Sequence, residues 1–275
     1  MAAMSEGVAR PNPHPLACQG VRVPPPAPDP PAGWRTGPPD FVGVGAQRSG
    51  TTRWFDLIVA HPEVAEPLAT RKELHYFDRF HSDPFTAGDA AAYSEYFPRP
   101  QGLRTGEWSP SYLPSPWAPA MLAAAAPYAR LLVLLRDPVE RYVSALQRHQ
   151  RVALASGQPL NAMAPLDAFT RGLYHAQLSR LLKRFPRSQV LILQYERCTA
   201  EPRSELRRTY EFLGLRETGF LPTLDAHPNR QPDKLELHPE VRGMLVEAYA
   251  EEVALLIADY PEIDVSLWPN FARLS

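Results

Sequence analysis

The stretch Phe41-Val-Gly-Val-Gly-Ala-Gln-Arg-Ser-Gly-Thr-Thr-Arg-Trp-Phe-Asp-Leu-Ile58 constrains the fold more than any other part of the chain. It opens as a short apolar run, Phe41 to Val44. It passes through a loop bounded by Gly45 and Gly50. It continues into 51–60, where Trp54, Phe55, Ile58 and Val59 fall at helical spacing. The pattern predicts a buried strand, a tight loop and a helix. Such a loop aims backbone N–H groups and a helix N-terminus at one point, which suits a phosphate.

Gly45 to Thr52 reads G-A-Q-R-S-G-T-T, close to the P-loop pattern G-x-x-x-x-G-K-[ST]. Thr51 stands where the lysine of that pattern reaches the β- and γ-phosphates of a nucleoside triphosphate. Its absence argues against ATP or GTP. Two hydroxyls and an internal cation, Arg48, remain, and these fit a 5′-phosphate carrying one further anionic group. The competing reading is a glycine turn with no ligand.

A chain of 275 residues can bury one sizeable core. The formal net charge of −1 leaves no global positive field to recruit nucleic acid or a membrane surface. Of 29 basic residues only Lys72, Lys183 and Lys234 are lysines, so arginine can stand where related chains use lysine. Cys18 and Cys198 are the two cysteines, and they offer neither a disulfide framework nor zinc-ligand spacing. No aliphatic run is long enough to span a bilayer, and the first residues lack the charged-then-apolar pattern of a signal peptide. The expectation is a soluble cytoplasmic protein.

Residues 1–39 are dense in proline, which removes backbone donors and disfavours helix and sheet. They read as a disordered or polyproline-II-like tail preceding one domain over 40–275. Within that domain strands are expected at 41–44, 103–108, 130–136 and 190–193. Helices are expected at 51–60, 116–126, 139–150, 166–171, 173–185, 202–213 and 241–258. Segments 151–165 and 216–238 read as loops. Strands alternating with helices predict an α/β domain with a P-loop-like, mainly parallel sheet between two helix layers. The site then lies at the carboxyl ends of the strands.

A second informative stretch is Leu131–His149. Arg136 ends a strand at the ligand-binding edge, Asp137 can cap the next helix, and Ser144 follows eight residues after Arg136. An ion pair at Arg136 would be the plain structural reading. A cation and a hydroxyl at this place also suit a second, separate phosphate. A ligand with both phosphates is 3′-phosphoadenosine-5′-phosphosulfate, the sulfuryl donor.

These residues carry a family resemblance. Gly43-Val-Gly-Ala-Gln-Arg-Ser-Gly-Thr-Thr52 resembles the 5′-phosphosulfate loop of sulfotransferases that use this donor. Leu134-Leu-Arg-Asp-Pro-Val-Glu-Arg-Tyr-Val-Ser144 resembles their 3′-phosphate motif. Glu73-Leu-His-Tyr-Phe77, and Gly172-Leu-Tyr-His175 with the following Leu-Leu-Lys-Arg-Phe-Pro186, are similar to the heparan sulfate sulfotransferase branch. The resemblance covers about residues 40–260. It implies that Arg48 matches the loop lysine between leaving phosphate and sulfuryl group. Ser49, Gly50, Thr51 and Thr52 match the 5′-phosphate cradle, and Arg136 and Ser144 the 3′-phosphate ligands. Glu73 matches the catalytic base, with His75 close by. Tyr174 falls near the position that closes over the nucleotide, and Arg230 matches a basic residue of the C-terminal loop.

Three departures accompany the resemblance. Arg48 replaces lysine and stays protonated, so it stabilises charge but is a poor proton donor. Trp108, in Glu107-Trp108-Ser109-Pro110, stands where the family segment has lysine, and it reads equally as a pocket wall or a packed aromatic. The disulfide loop of the Golgi enzymes is absent, in keeping with a cytoplasmic, bacterial-type member. Glu73 and His75, two residues apart, would share one side of a strand. Partial burial is expected to raise the Glu73 pKa. Arg148, His149 and Arg151 read as a solvated helix end, and Tyr93, Tyr96 and Phe97 as core.

The resulting expectation is in-line sulfuryl transfer to a hydroxyl or amine of a glycan, glycolipid or small-molecule acceptor, with no metal. The net charge speaks for a small acceptor over a polyanionic one. The rival readings are a P-loop nucleotide kinase and a non-catalytic nucleotide-binding protein.

Overall fold

A computed structural model describes residues 24–70, 72–216 and 235–274. Four strands form one sheet: β1 (Phe41–Gly45), β2 (Gly106–Trp108), β3 (Arg130–Leu135) and β4 (Val190–Gln194). Their order is β2-β1-β3-β4, and all three pairings are parallel. The helices are α1 (Thr51–Val59), α2 (Ala87–Ser94), α3 (Ala118–Ala125), α4 (Pro138–Ser156), α5 (Ala164–Thr170), α6 (Tyr174–Leu182), α7 (Tyr195–Ala200), α8 (Pro202–Leu213) and α9 (Pro239–Asp259).

The sheet is buried on both faces, as its aliphatic strands require. Leu131, Val133, Leu135, Val190 and Ile192 point into one core, with Leu178 of α6 and Val253 and Leu256 of α9. Leu132, Leu134, Leu191 and Leu193 point into the other, with Trp54 and Phe55 of α1 and Leu206 of α8. The fold is therefore the α/β class that the alternation of elements predicts. The strand order reverses direction at β1, so the carboxyl ends of β1, β2 and β3 meet at one edge, where such sheets open a crevice.

Gly43 shows how tightly β1 and β2 fit. A Cβ there would lie 1.9 Å from Trp108 Cδ2, so only glycine lets the indole pack across the strand. Trp108 is fully buried and donates from Nε1 to the Gly45 carbonyl at 3.2 Å. It is thus a packed aromatic.

Several local expectations need correction. The strand expected over 103–108 is only its last three residues. Helix α4 runs on to Ser156, where Gly157 ends it with φ 66°; the residues from Arg151 to Ser156 are adequate helix formers until that glycine. The sequence reading did not find the short helix α7. The segment holding Glu73 and His75 is no strand: it leads into a 3-10 helix, Tyr76–Phe80. The loop expected over 216–238 lies outside the described residues for 217–234.

The proline-rich stretch also differs, from Pro24 onward, from a free tail. The Pro25 carbonyl accepts from the Tyr96 hydroxyl at 2.7 Å. Arg35 and Arg99 pair as an isolated antiparallel bridge. The buried Arg99 guanidinium donates to the carbonyls of Gly37 (3.2 Å) and Pro38 (2.9 Å) and pairs with Asp40 at 3.0 Å. Proline leaves its carbonyl free as an acceptor, and the domain uses that. Tyr96→Phe should therefore cost about 0.5–1.5 kcal/mol, the net worth of one hydrogen bond, in chemical denaturation. An unchanged midpoint would show that the stretch is not held.

Candidate active site

The loop after β1 is built by two constraints. Gly50 has φ 84°, and a Cβ there would meet Tyr195 at 2.9 Å, so glycine serves both the turn and the close approach. Thr51 then starts α1 and is buried, while Thr52 is exposed at the second helical position. Ser49 is fully buried with its Oγ unpartnered. A buried hydroxyl without a partner beside a helix N-terminus fits an oxyanion ligand.

The two stretches singled out in the sequence converge. Arg48 Nε donates to Ser144 Oγ at 3.1 Å, across 96 residues of chain. Arg136 Nη1 donates to the Arg48 carbonyl at 3.2 Å, and its guanidinium lies 4.8 Å from the Tyr195 ring centre. Arg136 Nε is buried and unpartnered. Below them, Asp137 Oδ1 caps α4, accepting from Val139 N (2.9 Å) and Glu140 N (3.1 Å). Its Oδ2 accepts from the Asn270 backbone N–H and side-chain amide. The strand end carrying Arg136 is thereby fixed from beneath.

The site is strongly positive. Burial pushes the Arg48 pKa down to about 10, and the charges of Arg148, Arg136 and Arg151 push the same way, while Glu73 opposes them. Ser144, Arg148 and Arg151 lie on one stripe of α4, at steps of four and three residues. Arg148 and Arg151 are exposed, as a solvated helix end should be, yet they belong to the field of the site. The sequence signal for this was the spacing from Ser144, which the shorter helix of the sequence reading obscured.

Glu73 is brought to the same edge by its backbone, whose N–H bonds the Trp108 carbonyl at the end of β2 at 3.1 Å. Glu73 and His75 face each other, but not by strand alternation. Both have left-handed backbones, with φ 62° and 54°. That folds the segment back so that His75 Nε2 lies 3.3 Å from Glu73 Oε2. His75 Nδ1 lies 2.8 Å from Asp78 Oδ2 and 3.0 Å from Ser111 Oγ. Among the described residues the non-glycine residues with left-handed φ are Arg48, Glu73 and His75. Such conformations cost energy and gather at working sites.

The Glu73 pKa shift is opposite to the one expected. The His75 hydrogen bond holds its carboxyl well below the usual range, with the Lys72 charge helping and burial opposing. Lys72 is the residue the sequence reading missed. Its Nζ donates to Glu73 Oε1 at 3.2 Å and to Thr51 Oγ1 at 3.0 Å. Its signal was its rarity in an arginine-rich chain. Under the segment sits a second missed group, Glu107, buried and accepting from Ser109 Oγ (2.6 Å) and the Tyr93 (2.7 Å) and Tyr112 (3.0 Å) hydroxyls. Ser109 Oγ in turn accepts from the His75 backbone N–H at 3.0 Å, so Glu107 holds the His75 turn through Ser109.

Tyr174 is not over the site. Its ring is buried against Trp268, and its hydroxyl donates to the Arg136 carbonyl at 3.0 Å, so it supports the strand end from the core side. Tyr93, Tyr96 and Phe97 pack in the core, as expected. Arg230 lies outside the described residues.

Comparison with known proteins gives the family and the fold. The family model for the sulfotransferase domain matches residues 38–227. Mouse heparan sulfate glucosamine 3-O-sulfotransferase 3A1 is 33% identical over 189 residues, covering 65% of this chain and 46% of that protein. Mouse bifunctional heparan sulfate N-deacetylase/N-sulfotransferase 4 is 26% identical over 200 residues, 64% of this chain and 22% of the relative. A sulfotransferase structure from Alicyclobacillus acidocaldarius superposes with a TM-score of 0.64 at 26% identity, covering 84% of this chain and 98% of the other. The chain spans about half the length, or less, of these two curated relatives. With the family model matching well over half of its residues, the chain belongs to the sulfotransferase domain family.

Proposed function

We propose that this chain transfers a sulfuryl group from 3′-phosphoadenosine-5′-phosphosulfate to a hydroxyl or amine of a glycan, glycolipid or small-molecule acceptor. One observation carries the reading: Arg48 bonds Ser144, and Arg136 bonds the Arg48 carbonyl, so the loop after β1 and the end of β3 form one doubly cationic cradle. Two separated anionic groups on one nucleotide fit it. The unpartnered Ser49 Oγ and Arg136 Nε are where they would find partners.

The donor supplies a sulfuryl group on a phosphate anhydride. The chain's residues do the rest. Ser49, Thr51, Thr52 and the N–H groups at the start of α1 bind the 5′-phosphate, and Arg136 and Ser144 bind the 3′-phosphate. Arg48 stabilises charge that develops on the leaving phosphate oxygen, and it does so without giving up its proton. Glu73 accepts the proton of the attacking hydroxyl or amine. A carboxylate with a depressed pKa is always ionised at neutral pH but is a weak base. Proton transfer therefore accompanies S–O bond formation, when the attacking oxygen has become acidic. His75, fixed by Asp78, orients Glu73.

Whole-chain charge is a poor guide to the acceptor. The net charge of −1 averages over a site where Arg48, Arg136, Arg148 and Arg151 act together. Anionic glycans, the substrate class in the relatives' names, are therefore among the candidate acceptors. Calorimetry tests the donor: 3′-phosphoadenosine-5′-phosphate should bind far more tightly than 5′-AMP. Equal affinity would sink the reading. A screen of acceptors with isotopically labelled donor, in chelator and read by product mass, separates sulfuryl transfer from a kinase and from a silent binder.

A further inference from the structure

The donor loop carries Arg48 where the family resemblance puts a lysine, and the end of β2 has buried Trp108 where the family segment has lysine. The site nevertheless contains an ammonium. Lys72 is one of three lysines in the chain, and its side chain is only 10% exposed. Its Nζ lies 3.0 Å from Thr51 Oγ1, at the donor cradle, and 3.2 Å from Glu73 Oε1, at the base. A group passing from cradle to acceptor travels between those two side chains. An ammonium that bonds both stands beside that path. It has three N–H donors, and Thr51 and Glu73 account for two. Because Thr51 Oγ1 accepts from Lys72, its own O–H is left to point at the donor.

We propose that Lys72 is a catalytic residue that contacts the sulfuryl oxygens of the bound donor, supplying from the Glu73 segment the ammonium that neither the donor loop nor β2 provides. The inference rests on the sulfotransferase reading above. In the step, the S–O bond to the 5′-phosphate breaks with its electron pair remaining on the phosphate oxygen. The new S–O or S–N bond forms from the acceptor lone pair, and the acceptor proton goes to Glu73. Lys72 stays protonated throughout and stabilises charge on the sulfuryl oxygens. The groups facing it are Glu73 beside it, Asp56 on α1, and His75 across Glu73. Burial lowers its pKa, and Glu73 and Asp56 oppose that shift. Its charge is therefore lost, as pH rises, earlier than that of an ordinary lysine.

Binding of two nucleotides, the sulfated donor and 3′-phosphoadenosine-5′-phosphate, tests this without any acceptor. Only the first carries the sulfuryl group. In wild type the donor should bind roughly 10- to 100-fold more tightly, the span of a hydrogen bond between charged groups. Lys72→Met should abolish that preference and leave affinity for the desulfo nucleotide within about threefold, whereas Lys72→Arg should retain most of it. The wild-type preference should shrink as pH rises into the alkaline range, and in Lys72→Arg it should stay flat. Equal weakening of both nucleotides by Lys72→Met would make Lys72 a support for the cradle and overturn the proposal. So would a preference that survives in Lys72→Met. If wild type fails to prefer 3′-phosphoadenosine-5′-phosphate over 5′-AMP, the sulfotransferase reading itself fails, which is a different result.

Discussion

Glu73→Gln should lower kcat by about 10²–10⁴-fold, the usual worth of a general base, while the dissociation constant of 3′-phosphoadenosine-5′-phosphate stays nearly unchanged. Glutamine keeps the shape of the side chain and an oxygen for Lys72, but it cannot take a proton from the acceptor. Steady-state kinetics on this variant, beside a separate nucleotide titration, decide the point. The competing role is structural, because Glu73 ties Lys72 to His75. Under that role the variant would bind nucleotide weakly or melt early, and turnover at saturating donor would survive. The pairing also sets a pH window. A carboxyl held below its unfolded value adds stability that is complete above the ordinary carboxylate range. That stability is lost progressively as pH falls from that range through the lower, folded value. Activity at mildly acidic pH should therefore not be limited by protonation of Glu73.

Arg136→Ala should weaken 3′-phosphoadenosine-5′-phosphate by about 1.5–3 kcal/mol, the worth of a charge-assisted contact, and leave 5′-AMP almost untouched. That corresponds to roughly 10- to 150-fold in affinity. The loss should be selective because the strand end is held through backbone atoms that alanine retains: the Arg136 carbonyl accepts from the Tyr174 hydroxyl, and the Asp137 N–H donates to the Glu196 carboxylate. Arg136→Lys should recover only part of it, since an ammonium cannot reproduce the planar fork of donors. Calorimetry with the two nucleotides reads this directly. Equal weakening of both would mean that Arg136 merely braces the Arg48 carbonyl.

What the sequence revealed and what it hid divide along physical lines. The cradle was legible because its parts are local: β1, the glycines and α1 follow one another, and Arg136 and Ser144 sit on adjacent elements. The sheet was legible because strands buried on both faces read as unbroken aliphatic runs. The Glu73 pKa went the wrong way because burial was weighed alone, and the hydrogen bond from His75 depends on two left-handed residues that no periodicity announces. Lys72 stood out only by its rarity, because its meaning lies in a contact with Thr51, 21 residues earlier in the chain. Tyr174 was placed by family resemblance, which does not say which face of the sheet a ring occupies; its ring lies in the core and its hydroxyl on the Arg136 carbonyl. The proline stretch misled because composition reports missing donors and is silent about carbonyls, which Tyr96 and Arg99 use.

The left-handed backbones of Arg48, Glu73 and His75 bear on how this protein would respond to selection for heat resistance. Each such position favours glycine or asparagine, and relieving it is a common route to added stability. Here the three side chains that would be surrendered are those we propose as the anion-stabilising cation, the base and its orienting ring. Thermal hardening by sequence averaging or random screening would then drift toward a tougher but inert protein. Hardened yet active descendants should carry their changes elsewhere, in the helix layers and on the surface, with these three positions intact.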